Sequence, residues 1–378
     1  MLKTSKTGTA IVAAMVGSLV LTAGSALSGG AEQVISVPAA SSAPRVCPGF
    51  LTLGDYEYHT NTAGQAAITW FNKGYSGPLV ITNTLGGCPV TAIEPLPRVF
   101  GNCSNLTSVT IPASVTNIAP QALTYCPSLM AIRVDAGSPA YSSADGVLFN
   151  KNQTTLVKFP GGRVGHYTVP GIITCIGPRA FKACNSLAGV AIPASVTSIG
   201  SDALEECSNL KAITVAKGNS AYASVDGVLF DKAMTTLIRF PGGKGGHYAV
   251  PASVSVIEDS AFSFCRGLDS VTIPGSVTNI RRAAFCECTG LTNITIPRGI
   301  HIENDAFENC TNLPASIRAL APRSVDEIGR RQCLSMPPVP VPVPMRTGVE
   351  AQKHLEQYQK ELIQAGGEKG PPLPMPPR

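Results

Sequence analysis

Seven cysteines stand at positions 103, 126, 184, 207, 265, 288 and 310, separated by steps of 23, 58, 23, 58, 23 and 22 residues. Since 58 is 23 plus 35, a unit of about 23 residues recurs, and two intervals carry 35 residues more. The combined period is 81. The stretch DGVLFNKNQTTLVKFPGG at 145–162 returns 81 residues later as DGVLFDKAMTTLIRFPGG, identical at 13 of 18 positions. A fixed period of this length restricts the chain to a stacked array of small coils. One such coil cannot bury its own apolar face, so stability must come from neighbours closing one continuous core.

The unit is plainest in LTSVTIPASVTNIAPQALTYCPS, Leu106–Ser128, and it returns at Leu187–Asn209 and Leu268–Gly290. Leu106, Val109 and Ile111 read as the inward side of a short strand, and Thr107, Ser108 and Thr110 as its outward side. Pro112 cannot donate to a ladder, so it turns the chain. Val115 and Ile118 form a second inward-facing run. Ala122, Leu123 and Cys126 have the spacing of one helical turn with a buried face. Between units, Val147–Phe149 and Thr155–Phe159 are two β-rich runs joined by five residues, which suits a hairpin excursion on one edge of the array. Asp145-Gly146 signals a tight turn into it, and Pro160-Gly161-Gly162 ends it.

These units resemble the BspA-like leucine-rich repeats of bacterial and some protist surface proteins. The resemblance rests on the pattern [SN]-L-x-x-[IV]-x-I-P-x-S-V-T-x-I-G-x-x-A-F-x-x-C, which Leu187–Asn209 matches almost throughout, and on the insert Tyr141–Pro160 with its copy Tyr222–Pro241. It spans about residues 52–316, beginning with an atypical repeat made of Asp55–Thr60, Ala66–Phe71, Leu79–Ile81 and Pro89–Ile93. It implies a β-rich α/β fold: a right-handed leucine-rich-repeat solenoid of about 23-residue coils with two 35-residue β-hairpin insertions. It further implies an adhesin or surface binding protein, with no cofactor. The chain departs from the pattern at Ala119 and Arg281, where glycine is usual, and at Leu123 and Leu204, where phenylalanine is usual.

Export is the expected context. Lys3 and Lys6 precede an apolar run from Ala10 to about Leu27, followed by small residues, the layout of a signal peptide over 1–31. An uncleaved anchor is the rival reading. Either places the rest at the cell surface or outside the cell, with no later span. The net charge is +5, or +3 without the two leader lysines, too small a bias for a nucleic-acid partner. The expected organisation is an N-terminal region over 32–105, repeats over 106–316, and a proline-rich tail over 317–378 with a short helix at 349–364.

Cysteines in an exported chain first suggest disulfides. Here the periodic set Cys103, Cys126, Cys184, Cys207, Cys265, Cys288 and Cys310 reads instead as a ladder of small buried thiols. Stacked Cβ vectors run parallel, which disfavours bridging. Pairings of Cys47 with Cys88 and of Cys310 with Cys333 remain open. No metal set is legible, since Cys286 and Cys288 should face different ways and no histidine completes a tetrahedral site. GGRVGH and GGKGGH lack the phosphate-loop arrangement, and His166 and His247 have no recurring acid partner. No catalytic residue is therefore assigned.

One recurrent polar feature is left. Lys151 with Lys232, Lys158 with Arg239, and Arg163 with Lys244 repeat at the 81-residue offset. Stacked hairpins should set these six cations on one side. They form the candidate patch for an extracellular protein or polysaccharide, or else protect exposed strand edges from pairing. The expected function is non-enzymatic binding or adhesion. The alternative is a self-assembling surface or matrix protein.

Overall fold

A computed structural model describes residues 50–94 and 99–322. The leader, Cys47, Cys333 and the tail from residue 323 on, with the helix expected at 349–364, lie outside the described residues. Almost everything described is strand or turn. The chain winds as a leucine-rich-repeat solenoid with three walls: a long-strand wall, a short-strand wall and a turn wall.

The elements fall into three successive groups. The first holds β1 (Leu51–Leu53), β2 (Tyr56–Thr60), β3 (Ala66–Phe71), β4 (Ser76–Val80), β5 (Thr84–Leu85), β6 (Cys88–Ile93), β7 (Asn105–Ile111), β8 (Asn117–Ile118) and β9 (Ala131–Val134). The second holds β10 (Tyr141–Ala144), β11 (Val147–Asn150), β12 (Thr155–Lys158), β13 (Gly165–Thr168), β14 (Cys175–Ile176), β15 (Leu187–Ile192), β16 (Ser198–Ile199) and β17 (Ala212–Val215). The third holds β18 (Tyr222–Val225), β19 (Val228–Asp231), β20 (Thr236–Arg239), β21 (Gly246–Ala249), β22 (Val256–Ile257), β23 (Leu268–Thr272), β24 (Asn279–Ile280), β25 (Asn293–Thr295) and β26 (His301–Ile302), and the short helix α1 (Ala315–Arg318) follows it.

Each group opens with an antiparallel meander whose last strand then pairs in parallel along the short-strand wall. The orders β10-β11-β12-β14-β16 and β18-β19-β20-β22-β24-β26 show this, and β1-β2-β3-β6-β8 has the same connectivity. The insertion is therefore more than an edge excursion. Its 35 residues are a complete coil in which β12 and β13 occupy ordinary wall positions, with a hairpin spliced in ahead of them. The N-terminal region is a third version of the same group. Phe71 packs against Phe100 with ring centroids 5.0 Å apart, as Phe159 does against Phe181 at 5.2 Å and Phe240 against Phe262 at 5.0 Å.

The hairpins interrupt the long-strand wall. β4-β7-β9, β13-β15-β17 and β21-β23-β25 are three separate parallel sheets. At each break a hairpin tip covers the free edge. Ile132 N donates to Gly146 O, and Val134 N to Ser143 Oγ. Ile213 and Val215 repeat this with Gly227 O and Ser224 Oγ. On the short-strand wall, Ile118 N donates to Tyr141 Oη and Ile199 N to Tyr222 Oη, both at 3.0 Å. Asp145 and Gly146 both have positive φ, as a type I′ hairpin turn requires. At Gly146 a Cβ would also lie 3.0 Å from the Ala131 side chain.

The turn wall is not helical, contrary to the spacing of Ala122, Leu123 and Cys126. Two residues per coil take left-handed φ, for example Arg179 and Ala183, then Asp202 and Glu206, then Ser260 and Phe264. The double reversal aims the N–H groups at the next coil rather than along one helix. Phe181 N donates to Ala203 O, and Phe262 N to Ala284 O. Left-handed phenylalanine or alanine is intrinsically costly, so stacking must supply the compensation. The ladder thiols fill the interior behind these turns. All seven are buried and unbridged, and Cys207 Sγ donates to Phe181 O at 3.1 Å. Cys88 is likewise a buried free thiol.

Candidate binding surface and the charges behind it

The six cations do not form one exposed patch. Lys158 and Arg239 precede the buried Phe159 and Phe240 and point into the core, 4% and 6% exposed. Each reaches across the stack. Lys158 Nζ donates to Thr124 Oγ1 at 3.0 Å and to Arg179 O at 2.9 Å. Arg239 donates to Ser263 Oγ and Ser263 O, both at 3.0 Å, and to Ser260 O. Ser263 O is the carbonyl that an ordinary neighbouring coil would meet with a backbone N–H, as Ala183 N meets Glu205 O, and Arg239 takes that place. Arg179 O and Ser260 O also accept within their own turns, from Lys182 N and Ser263 N. Burial pushes the Lys158 ammonium down to about 8.

The other four cations are hairpin ties. Lys151 and Lys232 donate to Ser138 O and Asn219 O at the hairpin stem. Arg163 grips the first tip through Asp145 O at 2.6 Å and Asp145 Oδ2 at 2.8 Å. Lys244 does the same through Asp226 O at 2.5 Å. Arg163 lies over the Phe159 ring and Lys244 over that of Phe240. The sequence pairs these residues correctly across the repeat. It gives no sign that their partners are main-chain carbonyls of the same chain.

The glycines of the opening motif are architectural. A Cβ on Gly162 would lie 2.7 Å from Pro127 O, and one on Gly243 would lie 2.6 Å from the Asn209 carbonyl carbon. Backbone passes too close for any side chain, which accounts for Pro-Gly-Gly without an anion to cradle.

The long-strand wall is the extended surface. Register places its outward residues in two columns. In the second group, His166, Gly189 and Ala212 stand beside Thr168, Ala191 and Thr214. In the third, His247, Ser270 and Asn293 stand beside Ala249, Thr272 and Thr295. His166 lies over Gly189, where an added Cβ would meet its ring at 2.4 Å. His247 Nδ1 is 2.8 Å from Ser270 Oγ. A shallow apolar depression of about 250 Å³ crosses the second group, lined by Thr168, Ala191, Ile192, Pro193, Thr214 and Val215 among others. Among the described residues no cluster could hold a metal ion, and no helix is long and apolar enough to cross a membrane.

Behind the turn wall runs a line of polar side chains, one per coil, two residues before each ladder cysteine: Thr124, Lys182, Glu205, Ser263, Cys286 and Glu308. Lys182 pairs with Glu205 and, at 3.2 Å, with Glu206. Burial works against the Lys182 charge, but the two carboxylates outweigh it and hold its ammonium above the ordinary lysine value. Burial pushes the Cys126 thiol up to about 12 and Cys207 to about 11, and Cys184 rises for the same reason. These thiols are therefore protonated and inert at neutral pH.

Six copies of the BspA type leucine rich repeat region match the chain, over residues 90–163, 158–233 and 246–335. The chain belongs to the BspA type leucine-rich repeat family. Among solved structures, it is similar to a leucine rich cell surface protein of Faecalibacterium prausnitzii, at 24% identity over 78% of this chain and 99% of that one, with a TM-score of 0.37. The pneumococcal vaccine antigen PcpA is 20% identical over 69% of this chain and 74% of its own, with a TM-score of 0.39. The leucine rich repeat protein of T. pallidum is 22% identical over 71% and 97%, with a TM-score of 0.25. Membership of the BspA family rests on the repeat match, not on these scores. None of the curated proteins matches the chain.

Proposed function

We propose that this is an exported, non-enzymatic surface protein that recognises a macromolecule, protein or polysaccharide, on its long-strand wall. The observation that carries the reading is that wall. It presents small, mostly neutral side chains on nine strands in three sheets, over a core filled by leucine, valine, phenylalanine and cysteine. Solenoids of stacked repeats commonly meet partners on such an extended face. The basic leader supports export.

Arrays of matrix proteins and glycans probed with the secreted chain test the reading. Ala191→Arg and Thr272→Arg are expected to abolish binding, and Thr197→Arg on the short-strand wall to preserve it. Equal binding by all three variants would reject the wall. Neutralising Lys151, Arg163, Lys232 and Lys244 together is expected to give a smaller loss, and only with an acidic partner.

Self-association is the second reading, and one observation favours it. Phe50 and Leu53, at the start of the first meander, are 66% and 50% exposed, an apolar pair of the kind that a second copy could cover. Sedimentation over a range of protein concentrations distinguishes the two. Concentration-dependent oligomers without ligand binding would favour assembly.

A further inference from the structure

Lys182, Glu205, Glu206, Tyr125 and Ser263 meet behind the turn wall, although they come from four different coils. The three charged side chains are 14%, 11% and 12% exposed. Lys182 Nζ lies against Glu205 Oε2 and 3.2 Å from Glu206 Oε1. The other Glu205 oxygen, Oε1, accepts from Ser263 Oγ at 3.2 Å. Ser263 Oγ in turn accepts from the buried Arg239 guanidinium at 3.0 Å. Tyr125 Oη donates to Glu206 Oε1 and fixes that carboxylate beside the amine.

An ion pair needs one carboxylate. This lysine has two, each held by its own donor, and the arrangement has the parts of an acyl-transfer site. There is an amine nucleophile in contact with a carboxyl, a second carboxyl beside the amine to carry protons, and a donor on the oxygen that must bear charge. Fixed contact of this kind raises the effective concentration of amine and acyl group by orders of magnitude. Restricted water also favours loss of water from the pair over its return.

We propose that Lys182 and Glu205 are joined by an intramolecular amide bond, formed autocatalytically with Glu206 as proton carrier, that staples two adjacent coils of the second group. In the step, Lys182 ammonium passes a proton by way of Glu206 to Glu205 Oε2, so that the free amine meets a carboxylic acid rather than a carboxylate. Nζ attacks Glu205 Cδ, and the developing charge on Oε1 is met by Ser263 and, through it, Arg239. The Cδ–Oε2 bond breaks, and Oε2 leaves as water with the two protons released by nitrogen. Ammonium plus carboxylate gives amide plus water, so no co-reactant is required. Tyr125 is a positioning residue for Glu206.

Mass spectrometry of the full chain, reduced and alkylated to exclude disulfides, tests this. Trypsin is expected to leave Lys182 uncut and to release Ala180–Lys211 lighter by one water. Glu206→Ala should fold, give the full mass and be cut at Lys182. Glu205→Gln should form the same bond by losing ammonia, which a non-covalent pair cannot do. Lys182→Arg should restore full mass whether or not it alters stability. Full mass and normal cleavage at Lys182 in the unaltered protein would overturn the proposal and leave a buried ion pair only.

Discussion

The second and third groups carry the same hairpin coil with different cations at its core. Lys158 and Arg239 occupy matching places, and both answer the main chain of the following turn. They differ in how completely they answer it. Arg239 spans three acceptors but leaves its Nε unpaired, whereas Lys158 makes two bonds with an ammonium that burial has weakened. The fold asks that place for a donor with a long stem. The charge is incidental in one copy and permanent in the other, because a guanidinium does not give up its proton in a protein.

The most damaging way to break the comparison is to fill the space both copies share. Gly162→Val pushes a side chain into the Pro127–Leu129 backbone and is expected to cost about 3 kcal/mol or more, read as a fall in the denaturation midpoint. Gly243→Val should match it. Next, Arg239→Met strips donors from Ser260 O and Ser263 O and should cost about 3 kcal/mol. Lys158→Met should be close to neutral at pH 7, since it also removes the penalty of a buried charge.

Alkaline pH should sharpen that contrast. The folded pKa of Lys158 is about 8 against an ordinary 10.5. Between those values the unfolded chain holds the extra proton, so the lysine's contribution to stability rises with pH. The difference between wild type and Lys158→Met should therefore grow by about 3 kcal/mol across that window, measured by denaturant unfolding at each pH. The raised thiols act in the opposite sense in both proteins, losing stability as pH climbs above 9 through about 11 to 12. Smaller still, Gly146→Ala loads a positive-φ turn and crowds Ala131, for about 1 kcal/mol. Lys244→Ala removes a tie at the surface and should cost about 0.5 kcal/mol.

The period, the inward residues and the thiol ladder were legible because each repeats at the same place with the same chemistry. Leu106, Val109, Ile111 and Cys126 are buried as their pattern requires. Three things were not wholly legible, each for a physical reason. Lys158 and Arg239 look like surface residues, because a buried cation is recognisable only once its acceptors are assembled from other coils. The turn wall imitates a helix, because left-handed Tyr125 and Phe264 carry no glycine or asparagine to announce them. The first meander was legible only as part of an atypical repeat, at 55–60 and 66–71, because its kinship with the later meanders shows only once rings such as Phe71 and Phe100 are packed together. The Lys182 cluster is invisible for the first of these reasons, since the bonds from Lys182 to Glu205, Ser263 to Glu205 and Tyr125 to Glu206 join residues 23, 58 and 81 apart.

The hairpin tips also bear on what happens when the chain is cut. A nick that released the hairpin at 141–150 would leave Ile132 and Val134 with unanswered N–H groups on an open strand. Such an edge is a template for pairing with another chain. The tip thus works as a guard against aggregation. Proteolytic damage at a tip should clump the protein sooner than equal damage in the turn wall.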